Sequence, residues 1–410
     1  MQMNEKPVKI LVVGQTPPPY MGQAMMIKRL VDAEFDRIKI YHVRMSFSDS
    51  FKSVGNFRFK KIFHLFEVIG KVLKLRFSKN VDTLYYPPAG PNRTPIMRDI
   101  ILLGITRMFF KKVIYHFRAA GISDYLEQQP GLFKKLAKWA YGSPDASIQL
   151  SALNPADGKY FNSDRVYIIH NGLEDAATPY LPLVRAQKEQ TNILFVGVLR
   201  EDKGVTVLIE AARLLKNIVH NFSISLVGEF VSNEYENEVM AKVQEYNLQD
   251  HVQFVGTKTG DEKWQEFVKA DIFCFPSYFE SESFGNVVVE AMMFELPVVS
   301  TLWRGIPDIV VEGDTGFLVQ IQQPQLIAEK LLLLMSDPAL QKSMGKKGRE
   351  RYLQSFSLQK HLKAMEETIE TVVGYKRQFK KEKSVKPILE SVKPVVGKEL
   401  VSGASKAKSA

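Results

Sequence analysis

Two carboxylates, Glu282 and Glu290, frame a short stretch of sequence whose residue types could do chemistry. In ESESFGNVVVEAM, residues 280–292, seven residues separate them, including Phe-Gly-Asn and three valines, and no cation lies nearby in the sequence. Carboxylates without a counter-charge can accept hydrogen bonds from the many hydroxyl groups of a sugar ring. The stretch therefore predicts a site for neutral hydroxyls, although Glu282 could instead cap a helix and Glu290 could lie on a helix surface.

The same stretch also contains features that favour an anion. Gly285 lets a ligand approach the backbone closely, and a helix that begins near Ser283 offers free N–H groups to a negative charge. With that start, Glu290 lies about two turns into the helix and can reach back toward a ligand.

A second candidate segment, VLREDKG, follows the strand-like run NILFVG that ends at Gly197. It places Arg200 and Lys203 in a loop just before a predicted helix. Loop cations beside a helix N-terminus suit a diphosphate, because fixed charge and free N–H groups act together. A solvated basic loop is the alternative interpretation, and the segment alone does not decide between the two.

The elements that must position these residues form two series of alternating strands and helices, which predict an α/β fold with two doubly wound, Rossmann-like domains facing across a cleft. The first domain is predicted over residues 1–180 and the second over 188–356, with a proline-containing linker at 177–190. A helix around 357–374 is expected to rejoin the first domain. Residues 375–410 form a basic, low-complexity tail.

Composition limits the class of protein. The single cysteine, Cys274, excludes a disulfide framework and a thiolate-rich zinc site, and it indicates a reducing compartment. No apolar run approaches the roughly 18 residues of a spanning helix, and no signal peptide is apparent. We therefore expect a cytoplasmic protein.

Positive charge is concentrated in two segments. Residues 51–80 hold eight Lys or Arg against one Glu, and residues 375–410 hold ten against three, while the whole chain carries a net charge of +10. In the first segment apolar residues recur at spacings of three and four, which is typical of an amphipathic basic helix. One interpretation is a core helix with a solvated charged face. We favour the other interpretation, in which this helix makes peripheral contact with an anionic membrane and the tail adds to that contact. No nucleic-acid recognition module is apparent.

The segment from Pro276 to Val319, PSYFESESFGNVVVEAMMFELPVVSTLWRGIPDIVVEGDTGFLV, resembles the donor-site signature of retaining GT-B glycosyltransferases of family four, the glycosyl transferases group 1. Three further segments fit the same family: FVGVLREDKGVTVLIEAARLL, IIHNGLED and ILVVGQTPPPYMGQA. The resemblance is strong over roughly 190–320 and weaker, though collinear, over 8–175.

The resemblance implies a role for each matching position. Glu290 would accept hydrogen bonds from the ribose hydroxyls of a nucleotide, Glu282 would face the transferred sugar, and Lys203 with an arginine would neutralise the diphosphate. The implied donor-binding residues are Gly22, Gly197, Lys203, Glu282, Ser283, Phe284, Gly285, Asn286 and Glu290, and the implied catalytic residues are Glu282, Lys203, Arg200, His116 and Arg118.

The sequence departs from the family pattern after Gly197, where Val198 replaces the usual arginine, so Arg200 is a candidate substitute. In the N-terminal loop Met21 precedes Gly22 in place of a glycine pair.

A further departure is in the strand YHFRAAG, where Arg118 occupies the position of a histidine that contacts the donor sugar in the family, and His116 lies two residues earlier. Strand alternation puts both side chains on one face. Which of them reaches the ligand stays open, since His116 could equally be a core histidine.

The resemblance implies a retaining, metal-independent glycosyltransferase, for which a nucleotide-diphosphate sugar is the donor and no further cofactor is needed. A glycan or lipid-linked molecule would be the acceptor, at the inner face of the plasma membrane, in bacterial surface polysaccharide synthesis. Two alternatives remain: a nucleotide-sugar epimerase of the same fold, and a non-catalytic, membrane-associated subunit that binds a nucleotide sugar.

Overall fold

The computed structural model describes residues 7–18, 22–46, 59–181 and 190–374, all within the unit Met1–Gly374. Met21, residues 51–58 of the basic segment, most of the predicted linker (182–189) and the basic tail 375–410 lie outside the described residues.

Six parallel strands form the first sheet, in the order β2-β1-β3-β4-β5-β6. They are β1 (Val8–Gly14), β2 (Ile38–Arg44), β3 (Thr83–Tyr86), β4 (Lys112–Phe117), β5 (Ala146–Gln149) and β6 (Val166–Ile168). Because the chain moves first to one side of β1 and then to the other, the sheet has a topological switch point between β1 and β3.

The second sheet also has six parallel strands, in the order β12-β11-β10-β7-β8-β9. They are β7 (Thr191–Val196), β8 (Phe222–Val227), β9 (Val252–Gly256), β10 (Ile272–Phe275), β11 (Val298–Thr301) and β12 (Gly316–Val319). Its switch point lies between β7 and β10, so the loops after these two strands begin side by side. The two sheets confirm the predicted doubly wound α/β class.

Thirteen α-helices accompany the strands in the described residues. With the first sheet are α1 (Gly22–Asp32), α2 (Phe59–Ser78), α3 (Arg93–Thr106), α4 (Ile122–Glu127), α5 (Gly131–Tyr141), α6 (Asp157–Tyr160) and α13 (Leu358–Val372), and we call this part the first lobe. With the second sheet are α7 (Val205–Lys216), α8 (Asn233–Glu245), α9 (Gly260–Lys269), α10 (Asn286–Met293), α11 (Pro324–Ser336) and α12 (Pro338–Ser355), the second lobe.

Helices α2, α3 and α5 pack together on one face of the first sheet. The buried carboxylate of Asp99 on α3 ties this layer to the sheet, because it accepts hydrogen bonds from the hydroxyl groups of Tyr86 at 2.6 Å and Tyr141 at 2.7 Å. Tyr86 belongs to β3 and Tyr141 to α5, so one side chain links a strand with two helices.

On the opposite face the chain returns to the first lobe after α12. The backbone of Leu173 exchanges hydrogen bonds of 2.8 Å with Phe356 and Leu358, which lead into α13. Helix α13 then packs against the first sheet, with Ile369 buried in a cluster that includes Ile10.

The second lobe buries Cys274 completely on β10, and burial raises the pKa of its thiol. No helix among the described residues has the length and apolar composition needed to cross a bilayer.

Replacing Ile369 tests the contribution of α13. Ile369→Ala removes a fully buried side chain from the junction of α13 with the first sheet, so we expect the free energy of unfolding to fall by about 2–5 kcal/mol. Lys363→Ala, an exposed change on the same helix, should stay within about 0.5 kcal/mol of the parent. Denaturant unfolding measures both, and indistinguishable midpoints would contradict the packing assignment.

Candidate functional site

The candidate site lies at the switch point of the second sheet. The loop after β7 carries Arg200 and Lys203, and the loop after β10 carries Glu282 and leads into α10. The two loops are joined by a backbone hydrogen bond of 2.8 Å from Tyr278 to the carbonyl of Asp202. The segments that the sequence singled out separately are therefore neighbours.

Lys203 and Glu282 form an ion pair of 2.5 Å between Nζ and Oε2, with side chains only 16% and 11% exposed. Ser277, fully buried, donates a hydrogen bond of 3.2 Å to the same carboxylate oxygen. The expectation of a carboxylate without a nearby cation is wrong for Glu282, because the cation comes from the neighbouring strand's loop. Glu282 also makes no helix cap, since its carboxylate points to Lys203.

The glycine after Lys203 lets the two loops approach each other. Gly204 has a φ of +82°, and a Cβ added there would lie 2.2 Å from the carbonyl oxygen of Pro276. Both the backbone angle and the contact require glycine. Gly204 therefore sets the close spacing from which Lys203 reaches Glu282.

Arg200 and Lys203 both lie near the ring of Phe279, whose centre is 4.7 Å from the guanidinium carbon of Arg200 and 4.4 Å from the ammonium nitrogen of Lys203. Asp202 pairs with Arg200 at 2.5 and 2.7 Å. The loop thus holds two cations close together, each of them paired with a carboxylate.

Helix α10 begins at Asn286, after Gly285 with a φ of +94°, and not near Ser283 as expected. Glu290 therefore lies about one turn into the helix rather than two. Its Oε2 is 2.6 Å from Nζ of Lys263 on α9, so Glu290 also has a cation that the sequence spacing did not indicate.

A cavity of about 240 Å³ lies beside Glu290. Its lining includes Arg29, Leu173, Trp264, Glu290 and Met293. Burial lowers the pKa of the Arg29 guanidinium. The negative charge of Glu290 raises the same pKa, but by less than burial lowers it. The ammonium of Lys263 lies 4.8 Å from the Trp264 ring centre, so the cavity joins an aromatic surface with paired charges.

The first lobe contributes Arg118. Its guanidinium donates to Oδ1 of Asn171 at 3.1 Å and to the hydroxyl of Tyr85 at 3.2 Å. Asn171 in turn donates to Oδ1 of Asn286 at 2.9 Å, and the hydroxyl of Ser283 donates to the backbone carbonyl of Arg118 at 2.6 Å. Arg118 is therefore connected to the start of α10 from the other lobe.

His116 is the other candidate that the sequence identifies in the segment YHFRAAG. It is fully buried, and its Nδ1 is 2.7 Å from the hydroxyl of Tyr85. Burial and the nearby charge of Arg118 lower the pKa of its imidazole well below the ordinary value. His116 and Arg118 thus both contact the hydroxyl of Tyr85, and Arg118 also reaches Asn286 through Asn171.

Three further residues predicted from the sequence, Gly22, Phe284 and Gly197, have different surroundings. Gly22 begins α1, and a Cβ there would be 3.5 Å from Nδ2 of Asn286, so it belongs to the same neighbourhood. Phe284 is buried and stacks on His170 at 5.6 Å, which makes its side chain a packing group. Gly197 directly follows β7, and its carbonyl oxygen packs against Gly228, where an added Cβ would lie 1.8 Å away.

Sequence reasoning missed three polar residues of this neighbourhood: Lys263, Asn171 and Tyr85. Asn171 lies within IIHNGLED, which could have directed attention to it. Lys263 and Tyr85 carry no such signal, because they come from elements whose pattern only reports a helix and a strand. Among the described residues, no group of three or more His, Cys, Asp or Glu side chains is placed to hold a metal ion.

The sequence of this chain is similar to those of known glycosyltransferases. Residues 184–351 match the family model described as glycosyl transferases group 1. The capsular polysaccharide biosynthesis glycosyltransferase CapM of Staphylococcus aureus is 32% identical over 165 residues, which are 40% of this chain and 42% of that protein. The alignment thus spans less than half of this curated relative.

Solved structures share the fold over nearly the whole chain. A glycosyltransferase from Rickettsia africae superposes with a TM-score of 0.69 at 16% identity, covering 91% of this chain and all of the other. HepE from Anabaena, solved in complex with UDP and glucose, has a TM-score of 0.66 at 19% identity and covers 89% and 100%. These likenesses show the GT-B fold.

A matched pair of glycine variants tests the loop geometry. Gly204 and Gly256 both have positive φ, +82° and +76°, but only at Gly204 would a Cβ meet another atom within 4 Å. We expect Gly204→Ala to lower the free energy of unfolding by at least about 1 kcal/mol more than Gly256→Ala, since both share the backbone strain. Equal losses in thermal or denaturant unfolding would show that the contact with Pro276 does not require glycine.

Proposed function

We propose that this chain, whose residues 184–351 match the family model of the glycosyl transferases group 1, transfers a sugar from a nucleotide-diphosphate donor to a glycan or lipid-linked acceptor, with retention of the anomeric configuration and without a metal ion. The observation that carries the proposal is the Lys203–Glu282 pair at the switch point of the second sheet. Ligands of open α/β sheets bind at such points.

The charge that develops in this reaction explains the choice of residues. Breaking the anomeric C–O bond leaves negative charge on the diphosphate and positive character on the sugar. Lys203 and Arg200, both held near the ring of Phe279, are fixed cations that would stabilise the departing diphosphate where its charge appears. Glu282, freed from Lys203, would then accept hydrogen bonds from hydroxyl groups of the sugar.

We assign the nucleotide half of the donor to the cavity beside Glu290. Glu290 and Lys263 lie at the cavity that also includes Trp264. We assign the ribose hydroxyls to the Glu290 carboxylate and an adjoining apolar contact to the indole ring. HepE, which has the same fold, binds UDP and glucose, and this supports a nucleoside diphosphate as the common part of the ligand.

The pathway is inferred from relatives. CapM is named for capsular polysaccharide biosynthesis, and a further relative in Erwinia amylovora is named for amylovoran biosynthesis. We propose surface polysaccharide synthesis for this chain, with peripheral contact to the inner face of the plasma membrane through the basic segment 51–80 and the tail 375–410.

Substitution of two residues tests the donor site. We expect Lys203→Ala to reduce the turnover of the donor 10²–10³-fold, the size of effect seen when a charge-stabilising group is removed, and Glu290→Ala to weaken donor binding. Lys342→Ala and Glu350→Ala, exposed changes on α12, serve as matched controls and should behave as the parent.

The assay follows product formation from a panel of nucleotide sugars with glycan and lipid-linked acceptors, and records the anomeric configuration of the product. Near-parental rates in both site variants would contradict the site. Conversion of donor to its epimer without acceptor would instead support the epimerase alternative.

A further inference from the structure

The outer surface of the layer formed by α2, α3 and α5 exposes many apolar side chains. Of the twenty-one large hydrophobic side chains that are exposed in the described residues, twelve belong to these three helices and to the short 3₁₀ turn that follows α3. They are Ile62, Phe63, Phe66, Phe77, Met97, Ile101, Ile105, Met108, Phe109, Leu132, Leu136 and Trp139. Apolar patches of this kind mark interaction surfaces.

These side chains form one connected surface. The rings of Phe77 and Phe109 meet edge to face at 5.7 Å, which joins the end of α2 to the turn after α3. Trp139 of α5 lies across α3, since a Cβ at Gly104 would be only 2.6 Å from its ring. The guanidinium of Arg107 donates to the carbonyl of Trp139 at 3.3 Å.

Met108 and Trp139 protrude from this surface, where they could insert into a lipid interface. Met108 is 78% exposed and Trp139 is 62% exposed, although the backbone around both is ordered by hydrogen bonds. Tryptophan and phenylalanine side chains favour the boundary between headgroups and acyl chains.

Cations surround the apolar groups on the same helices. Lys71 and Lys74 of α2 and Lys135 and Lys138 of α5 are exposed. Helix α5 has no acidic residue, and α2 has Glu67 alone. Apolar side chains interleaved with lysines complement an anionic lipid surface.

We propose that this three-helix face, the outer surface of α2, α3 and α5, is a docking surface for an anionic lipid bilayer. It extends beyond the basic segment 51–80, because α3, the 3₁₀ turn that follows it and α5 contribute eight of the twelve apolar side chains. A second copy of the chain fits less well, since two such faces would bring like charges together. The inference does not depend on catalysis, because membrane binding can be measured without any substrate.

Vesicle binding by the full chain tests the proposal. Vesicles of phosphatidylcholine are prepared with and without phosphatidylglycerol, and we expect the parent to bind only the anionic vesicles. The double variant Met108→Ser/Trp139→Ser should bind at least tenfold more weakly, and so should Lys74→Glu/Lys135→Glu. Met240→Ser/Leu353→Ser, at exposed positions of the second lobe, is the matched control and should bind as the parent.

The basic tail is present in every variant, so it cannot produce the difference. Parental binding by Met108→Ser/Trp139→Ser would overturn the proposal and leave the tail as the attachment. Dimers of the parent in sedimentation that dissociate in this variant, without vesicle binding, would also overturn it in favour of a second copy. Far-UV circular dichroism and unfolding midpoints confirm that the variants fold.

A second, independent inference concerns Arg118. Arg118 is only 7% exposed. Its guanidinium donates two hydrogen bonds, both to neutral oxygens, those of Asn171 and Tyr85. Its Nε is buried without a hydrogen-bond partner, and no carboxylate among the described residues forms an ion pair with it. A buried charge without a counter-charge is costly, so it indicates an anion supplied from outside the protein.

The groups around Arg118 do not supply that anion. His116 and His361 both have pKa values lowered by burial and by the charge of Arg118, that of His361 to about 3, so both imidazoles are neutral. The guanidinium has five N–H groups, of which three remain for a ligand. Through Asn171 and Ser283 it adjoins the start of α10.

We infer that Arg118 is the subsite for a carboxylate on the transferred sugar, so that the donor carries an acidic sugar such as a uronate. This rests on the proposed function, since it names the substrate class of the same site. A guanidinium recognises a carboxylate with two parallel hydrogen bonds, which an ammonium or a neutral amide cannot reproduce.

Matched donors test this subsite. Binding is compared for nucleotide sugars that differ only by a C6 carboxylate, such as UDP-glucuronate and UDP-glucose or GDP-mannuronate and GDP-mannose. We expect the parent to bind the acidic member of one pair at least tenfold more tightly. Arg118→Gln should lose this preference while still binding the neutral member, and Arg118→Lys should recover it only in part. A parent that prefers neutral sugars would overturn the subsite alone, whereas binding of neither class would count against the proposed function as well.

Discussion

The ion pair between Lys203 and Glu282 is the interaction on which the site depends. It connects the loops after β7 and β10, which are adjacent in the second sheet although the two residues are 79 positions apart in the sequence. Both groups are mostly withdrawn from water, so neither tolerates the loss of its partner without another charge or donor to replace it. Gly204 makes the approach possible, because any other residue would collide with Pro276.

The position of Glu282 also depends on the first lobe. Its neighbour Ser283 donates through its hydroxyl to the carbonyl of Arg118, and the carbonyl of Ser283 accepts a hydrogen bond of 2.7 Å from Asn154. On its other side Gly305 lies so close that a Cβ would be 2.2 Å from the same carbonyl. A residue next to the ion pair is thus held by both lobes, and any shift of one lobe against the other would move the carboxylate.

Much of the fold was predictable because strand and helix periods are local properties of the chain. The alternation of strands and helices is enough to indicate two doubly wound sheets, and the order of the elements leaves few topologies. The helix start after Gly285 was placed too early, since a positive φ at the cap depends on the backbone and leaves no trace in hydrophobic spacing. The pairing partners of Glu282 and Glu290 were missed for a related reason: sequence distance carries no information about which loops a sheet brings together. Helix α2 packs in the core through Val68 and Val72 while Phe63 faces outward, and its contact with a membrane stays a prediction.

The two carboxylates of ESESFGNVVVEAM are therefore not free acceptors, and this changes how the proposed reaction would begin. Lys203 pairs with Glu282, Lys263 with Glu290 and Arg200 with Asp202, whereas Arg118 has no carboxylate among the described residues. A diphosphate that binds at Lys203 must compete with Glu282 for the same ammonium, and its higher charge favours the exchange. The exchange would release the carboxylate at the moment when sugar hydroxyls arrive beside it. Binding of the phosphate and recognition of the sugar would then be coupled through one lysine. Without a donor, the ion pair would keep the two charges neutralised. The site would become selective only when both parts of the donor are present.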